Sequence, residues 1–128
     1  MRLRIIDEIL NECRGESLKS IYKAFKKYFG SPQNDSSIND YFIYFLYTLL
    51  RDNELKLARN GKFLDGSLKY KISIIRQDFF VAYDNSNVGL VYNNLGNIIE
   101  DPKNDEWWDT QSGFQAVWIM EDGSLKWT

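Results

Sequence analysis

The chain has 128 residues, of which 44% are apolar and 16% aromatic, the size and apolar content of a single compact domain over residues 1–128. It has no histidine and one cysteine, which excludes the Ser-His-Asp and Cys-His catalytic systems, the His-containing zinc sites and an internal disulfide. Net charge is only −2, yet 14 Lys and Arg stand against 9 acids through residue 76 (+5) and 2 against 9 beyond it (−7), a split that can mark an interaction surface.

The first predicted element is a helix over 3–13, where Leu3, Ile6, Ile9, Leu10 and Cys13 recur at three- and four-residue intervals and make one apolar face. Cys13 falls on that face and reads as a buried structural thiol. The charged N-terminus, "MRLRIIDEILNECRGE", has no unbroken apolar run of the kind a signal peptide carries, so a cytoplasmic protein is expected. Ser17 has the chemistry of an N-cap for a second helix, "LKSIYKAFKKYF", with a stripe of Leu18, Ile21, Tyr22, Phe25 and Phe29 and a lysine-rich back; Gly30 and Pro32 end it.

Ser37 and Asp40 have capping-box spacing before a third helix, 38–50, that is apolar almost all round and is therefore expected to be central. Its apolar run, "YFIYFLYTLL" (41–50), falls far short of the roughly 20 residues that a membrane-spanning helix needs, so no membrane partner is expected. Leu55 and Leu57 then alternate with Lys56 and Ala58 before Asn60-Gly61, a strong signal for a two-residue hairpin, and Phe63 resumes the alternation. Ser67 caps a further helix with Leu68, Ile72, Ile75 and Phe79 in register. Residues 81–113 read as mostly loop with one short helix or strand. "FQAVWIMEDGSLKWT" closes the chain as a hairpin turning at Asp122-Gly123, with Phe114, Val117 and Ile119 expected opposite Trp118 and Met120. The expected fold class is α+β: a helical N-terminal half, a β-hairpin, a further helix and a C-terminal β-hairpin.

The most chemically loaded segment is "EDPKNDEWWD" (100–109), five carboxylates around Trp107 and Trp108. Paired carboxylates serve glycosidases and magnesium sites only where they converge in a pocket, and in a polar loop they are ordinarily solvated. "DNSNVG" (84–89) starts like a calcium loop, but Val88 and Leu95 stand where its fifth and twelfth ligands belong. No glycine-rich phosphate loop is present. The expectation is thus a protein without catalytic activity, cofactor or metal. The helix-helix-hairpin order resembles a winged-helix nucleic-acid regulator, with Lys56, Arg59 and Lys62 on the wing. The apolar third helix and the pI near 5.1 argue against nucleic acid as the partner.

Two stretches, "LLRDNELKLARNGKFLDGS" (49–67) and "VWIMEDGSLKWT" (117–128), resemble a small bacterial family of unknown function whose members end in DGSL, a charged residue, then WT. That family resembles the immunity proteins of contact-dependent growth-inhibition systems, each of which binds and neutralises one cognate toxin. The resemblance implies a protein partner, a toxin domain of nuclease type whose active or substrate-binding surface is occluded. Against a basic toxin, an acidic segment with an aromatic anchor supplies both steering and a hot spot, which makes Asp101, Asp105, Glu106, Trp107, Trp108 and Asp109 the expected contact residues. Adjacent residues in a helix lie about 100° apart and in a strand point to opposite faces, so at most one of the two tryptophans is expected to be fully buried.

Overall fold

The computed structural model describes residues 3–32, 35, 37–84, 91–92, 98–100 and 102–128. Three helices open it: α1 (Arg4–Cys13), α2 (Leu18–Phe29) and α3 (Ile38–Arg51). The apolar stripe of α2 is buried at Leu18, Ile21, Tyr22 and Phe25. Ser17 caps that helix as its chemistry predicts, accepting from the Ser20 N–H at 3.3 Å. The capping box expected before α3 does not form. Ser37 already has helical backbone angles, and both its N–H (3.0 Å) and its hydroxyl (2.6 Å) donate to Asp35, while Asp40 accepts from Arg76 of the fourth helix at 2.8 Å. An Asx turn at Asp35 thus competes successfully with the box. Just past the end of α3, Asn53 has a φ of 57°, which lets its N–H reach Leu50 O (3.2 Å) and the Glu54 N–H reach Leu49 O (2.9 Å), so these two carbonyls are satisfied.

The chain then enters β1 (Leu55–Arg59), turns at Asn60-Gly61 with φ of 52° and 83°, as a type I′ turn requires, and returns as β2 (Lys62–Phe63). Ser67 caps α4 (Leu68–Asp84) through the Tyr70 N–H. Of the expected loop 81–113, the described parts are the end of α4, a two-stranded antiparallel pair, β3 (Val91–Tyr92) with β4 (Ile98–Glu100), and the helix α5 (Pro102–Thr110). β5 (Phe114–Ile119) and β6 (Leu125–Trp127) form the C-terminal hairpin.

The hairpins are not separate. β1 pairs along its whole length with β5, giving a four-stranded antiparallel sheet in the order β2-β1-β5-β6. The fold is α+β, and the first hairpin is half of a larger sheet rather than a free two-stranded wing. Register decides the faces, because directly paired residues in an antiparallel ladder point the same way. Leu55 pairs with Trp118, Leu57 with Ala116 and Arg59 with Phe114, and this face closes onto the helices. The other face carries Lys56, Ala58, Val117, Ile119, Phe63, Leu125 and Trp127. Phe114 therefore lies with Trp118 and not with Val117 and Ile119 as expected. The core lies between the inner sheet face and the helices, and Tyr22, Phe42, Phe79, Trp108 and Trp118 are its largest fully buried rings, with Phe45 beside them. No helix among the described residues is long and apolar enough to cross a membrane.

Candidate functional site

The acid-rich decamer lies on α5. Pro102 suits a first helical position, since its missing N–H would be unpaired there in any case, and Asp105 in the first turn complements the helix dipole. Asp101 lies outside the described residues. Two residues past the end of α5, Ser112 is buried: its hydroxyl donates to Trp108 O at 2.8 Å and accepts from the Phe114 N–H at 3.1 Å, tying α5 directly to β5.

Helical geometry sorts the expected contact residues into three directions. Asp105, Glu106 and Asp109 turn toward the lysine-rich back of α2. Lys26 bonds Asp105 with both side chains mostly buried (16% and 13% exposed), and the same ammonium sits 4.5 Å from the centre of the Tyr22 ring. Lys19 reaches Glu106 at 2.5 Å and Asp109 at 4.0 Å, and the bond to Glu106 is the main cause raising the Lys19 pKa above its ordinary value. Two lysines against three acids leave a residual charge near −1 on this ridge. The exposed Lys19 pairs contribute little to stability, whereas removing one partner from the more buried Lys26 pair strands a charge. Pairing the basic α2 with the acidic α5 thus accounts for part of the uneven charge along the chain.

Trp108 points inward. It is 1% exposed and packs against Phe79, Phe42 and Tyr22 at ring-centre distances of 4.7, 5.6 and 5.9 Å, while its indole N–H has no hydrogen-bond acceptor among the described residues. Trp107 is half-buried and lines a recess of about 290 Å³ together with Val81, Ala82 and the Arg59–Asp78 ion pair (2.7 Å). The structure therefore brings the three acids together at α2 and separates them from the half-buried Trp107, which faces α4 as part of a concavity rather than as a projecting knob. Sequence reasoning identified the basic back of α2 but not its pairing with these acids; the signal is the spacing of Lys19 and Lys26, which places both on one helix face.

Arg59, the central residue of the proposed wing, is committed elsewhere. It bonds Asp78 and Ser112 O (3.2 Å) and stacks 4.2 Å from the Phe114 ring centre, joining α4, the end of α5 and β5. Among the described residues, no group of Cys, Asp and Glu converges in a way that could hold a metal ion.

Residues 50–128 match the family model described as "Protein of unknown function, DUF596". The chain belongs to this family. The DUF596 match starts at the last turn of α3 and takes in both hairpins, α4 and α5, so it includes the decamer and, but for Leu49, both stretches that carry the sequence resemblance. A solved structure of an uncharacterized protein conserved in bacteria, from Neisseria meningitidis, is similar across 95% of this chain and 85% of its own, with 18% identity and a TM-score of 0.57. At that identity the likeness is one of fold. No curated protein matches the sequence.

Proposed function

We propose that this DUF596 protein is a non-catalytic immunity protein of the bacterial cytoplasm, which binds one cognate toxin domain of nuclease type and occludes its active or substrate-binding surface. The observation that carries the reading is the fixed presentation of α5. Trp108 anchors the helix in the core and Lys26 holds its first turn, while Glu106 and Asp109 stay about half exposed (52% and 44%) on the side of α2 and Trp107 lines a recess on the side of α4. Binding to a pre-organised surface avoids the ordering cost that a flexible acidic loop would carry. In this reading the two ingredients act on different steps: the acids steer a basic toxin and raise the on-rate, and an apolar toxin side chain seated against Trp107 slows dissociation.

The test pairs protection with kinetics, using the toxic C-terminal domain encoded next to the gene. Co-production should protect cells. Glu106→Lys with Asp109→Lys should slow association and flatten its salt dependence, and Trp107→Ala should weaken binding by about tenfold or more, chiefly through dissociation. Full protection by the triple variant, or no protection by the native protein, would overturn the proposal.

A further inference from the structure

A second concavity shares no residue with α5. It lies where the end of α3, the β1–β2 hairpin and the start of α4 meet, and encloses about 400 Å³, within the range of about 300–1,000 Å³ typical of small-molecule sites. Leu50, Phe63, Leu64 and Leu68, which keep part of their surface exposed, supply an apolar lining over the buried Leu55 and Leu57, and the charged residues that line it are Arg51, Lys56 and Lys71. No carboxylate lines it, in a chain whose 18 acids outnumber its 16 Lys and Arg.

The three cations differ in how far they are already engaged. Arg51 bonds Asp52 through Nε at 3.0 Å, which leaves its two terminal nitrogens outside that contact. The Lys56 ammonium lies 5.4 Å from the centre of the Phe63 ring. Among the described residues neither Lys56 nor Lys71 has a carboxylate partner. The backbone adds to the same sign. Leu68 on the wall is the first residue of α4, whose first turn contains no acid, so the positive end of the helix dipole meets only the neutral Ser67 cap there. The opposing negative end of α3 is moderated, since the Leu49 and Leu50 carbonyls are already bonded to Glu54 and Asn53.

We infer that this cleft binds a small amphipathic anion, with a carboxylate or phosphate head held by Lys56, Lys71 and Arg51 and a short alkyl or aryl body against the leucines. An inorganic anion would leave the leucine wall unused, and a neutral apolar molecule would leave the ammonium groups without a counter-charge. Only a ligand with both parts satisfies the whole wall.

Decanoate, decyl phosphate, 1-decanol and inorganic phosphate are the probes, titrated below the aggregation concentration of each amphiphile against the full chain and followed by calorimetry and by amide shifts of β1. Decanoate or decyl phosphate should bind saturably, at least tenfold tighter than 1-decanol and than phosphate alone, and more weakly as salt is raised. The tighter of the two anions identifies the head group. Lys56→Met with Lys71→Met keeps the alkyl stems and removes two charges; it should lower anion affinity by at least tenfold while leaving 1-decanol binding unchanged, which also reports that the variant remains folded. Equal affinity for decanoate, decyl phosphate and 1-decanol, unchanged anion binding by the double variant, or no saturable binding of either anion would overturn the assignment.

Discussion

The rings of Phe63 and Trp127 lie 5.0 Å apart, centre to centre, although they belong to β2 and β6, the two outer strands of the sheet. They meet above the two central strands on the face away from the helices. Ala58 and Val117, which point to that face, are nonetheless fully buried, and their cross-strand partners are Phe63 and Trp127 respectively. The aromatic pair thus roofs a second, small apolar cluster on what is otherwise a solvent face. Trp127 is 42% exposed, so its removal forfeits part of a ring's burial plus the pair geometry. Trp127→Ala is expected to cost about 1–2 kcal/mol, and Phe63→Ala about as much. The double variant should cost less than the sum, since both lose the same contact. Strict additivity in urea denaturation would show that the rings do not support each other.

Two glycines separate backbone strain from steric collision. Gly61 has φ 83° with open space where a Cβ would stand, so Gly61→Ala carries only the conformational cost, about 1 kcal/mol, and Gly61→Val somewhat more, about 1–3 kcal/mol. Gly113 has φ 73°, and a Cβ there would collide with the Asn60 carboxamide. That residue is held in turn by its own N–H, which donates to Gly113 O at 2.9 Å. Gly113→Ala should therefore be clearly the more destabilising of the two, and equal denaturation midpoints would refute the close approach.

These particulars show what the sequence exposes and what it hides. The Asn60-Gly61 turn and the Ser17 cap are legible because chemistry within a few residues decides them. α5 is not, because its strong apolar residues are two adjacent tryptophans with no repeat at helical spacing, and its orientation is set by Lys19 and Lys26, about 80 residues earlier in the chain. The face of Phe114 is hidden for a related reason. Val117 is buried by the Phe63–Trp127 roof and Trp118 by the core, so both faces of β5 read as apolar and alternation cannot tell them apart. The same limit applies to the decamer: spacing marks it as acidic and aromatic, but only the fold shows that its acids are already paired and that Trp108 belongs to the core.

Cys13 is buried on α1, and burial pushes its thiol up to about 12 from an ordinary value of 9.0. The native protein should resist Ellman's reagent at pH 8 and react on unfolding. The pH dependence has a definite sign. The unfolded thiol ionises first as pH rises through 9, so the stability that the neutral buried thiol contributes is complete below 9 and lost between 9 and about 12, by about 1.4 kcal/mol per unit in that window. Cys13→Ala costs packing at neutral pH, but its deficit relative to the native protein should shrink from pH 9 to 11. A deficit that stays constant across that range would mean the thiol ionises as readily folded as unfolded.

Trp108 and Trp118 are both buried, at 1% and 0% exposure, and differ in what their indole N–H groups meet. Trp118 donates to Glu16 O at 2.7 Å, joining β5 to the loop between α1 and α2, whereas the Trp108 N–H has no hydrogen-bond acceptor among the described residues. Replacing either by phenylalanine removes the same atoms and opens a similar void, so the packing costs largely cancel in the comparison. The N–H terms do not cancel. Trp118→Phe loses a hydrogen bond and leaves the Glu16 carbonyl without that donor. Trp108→Phe removes a donor whose burial without an acceptor already costs the native state free energy. Trp118→Phe should therefore be the more destabilising by about 1–3 kcal/mol, read as a lower urea midpoint with unchanged m-value. If Trp108→Phe proves equally costly, the Trp108 N–H has a partner in the folded protein, and the Phe42 ring, 5.6 Å away and inclined at 74°, is the first to test by Phe42→Leu in the Trp108→Phe background.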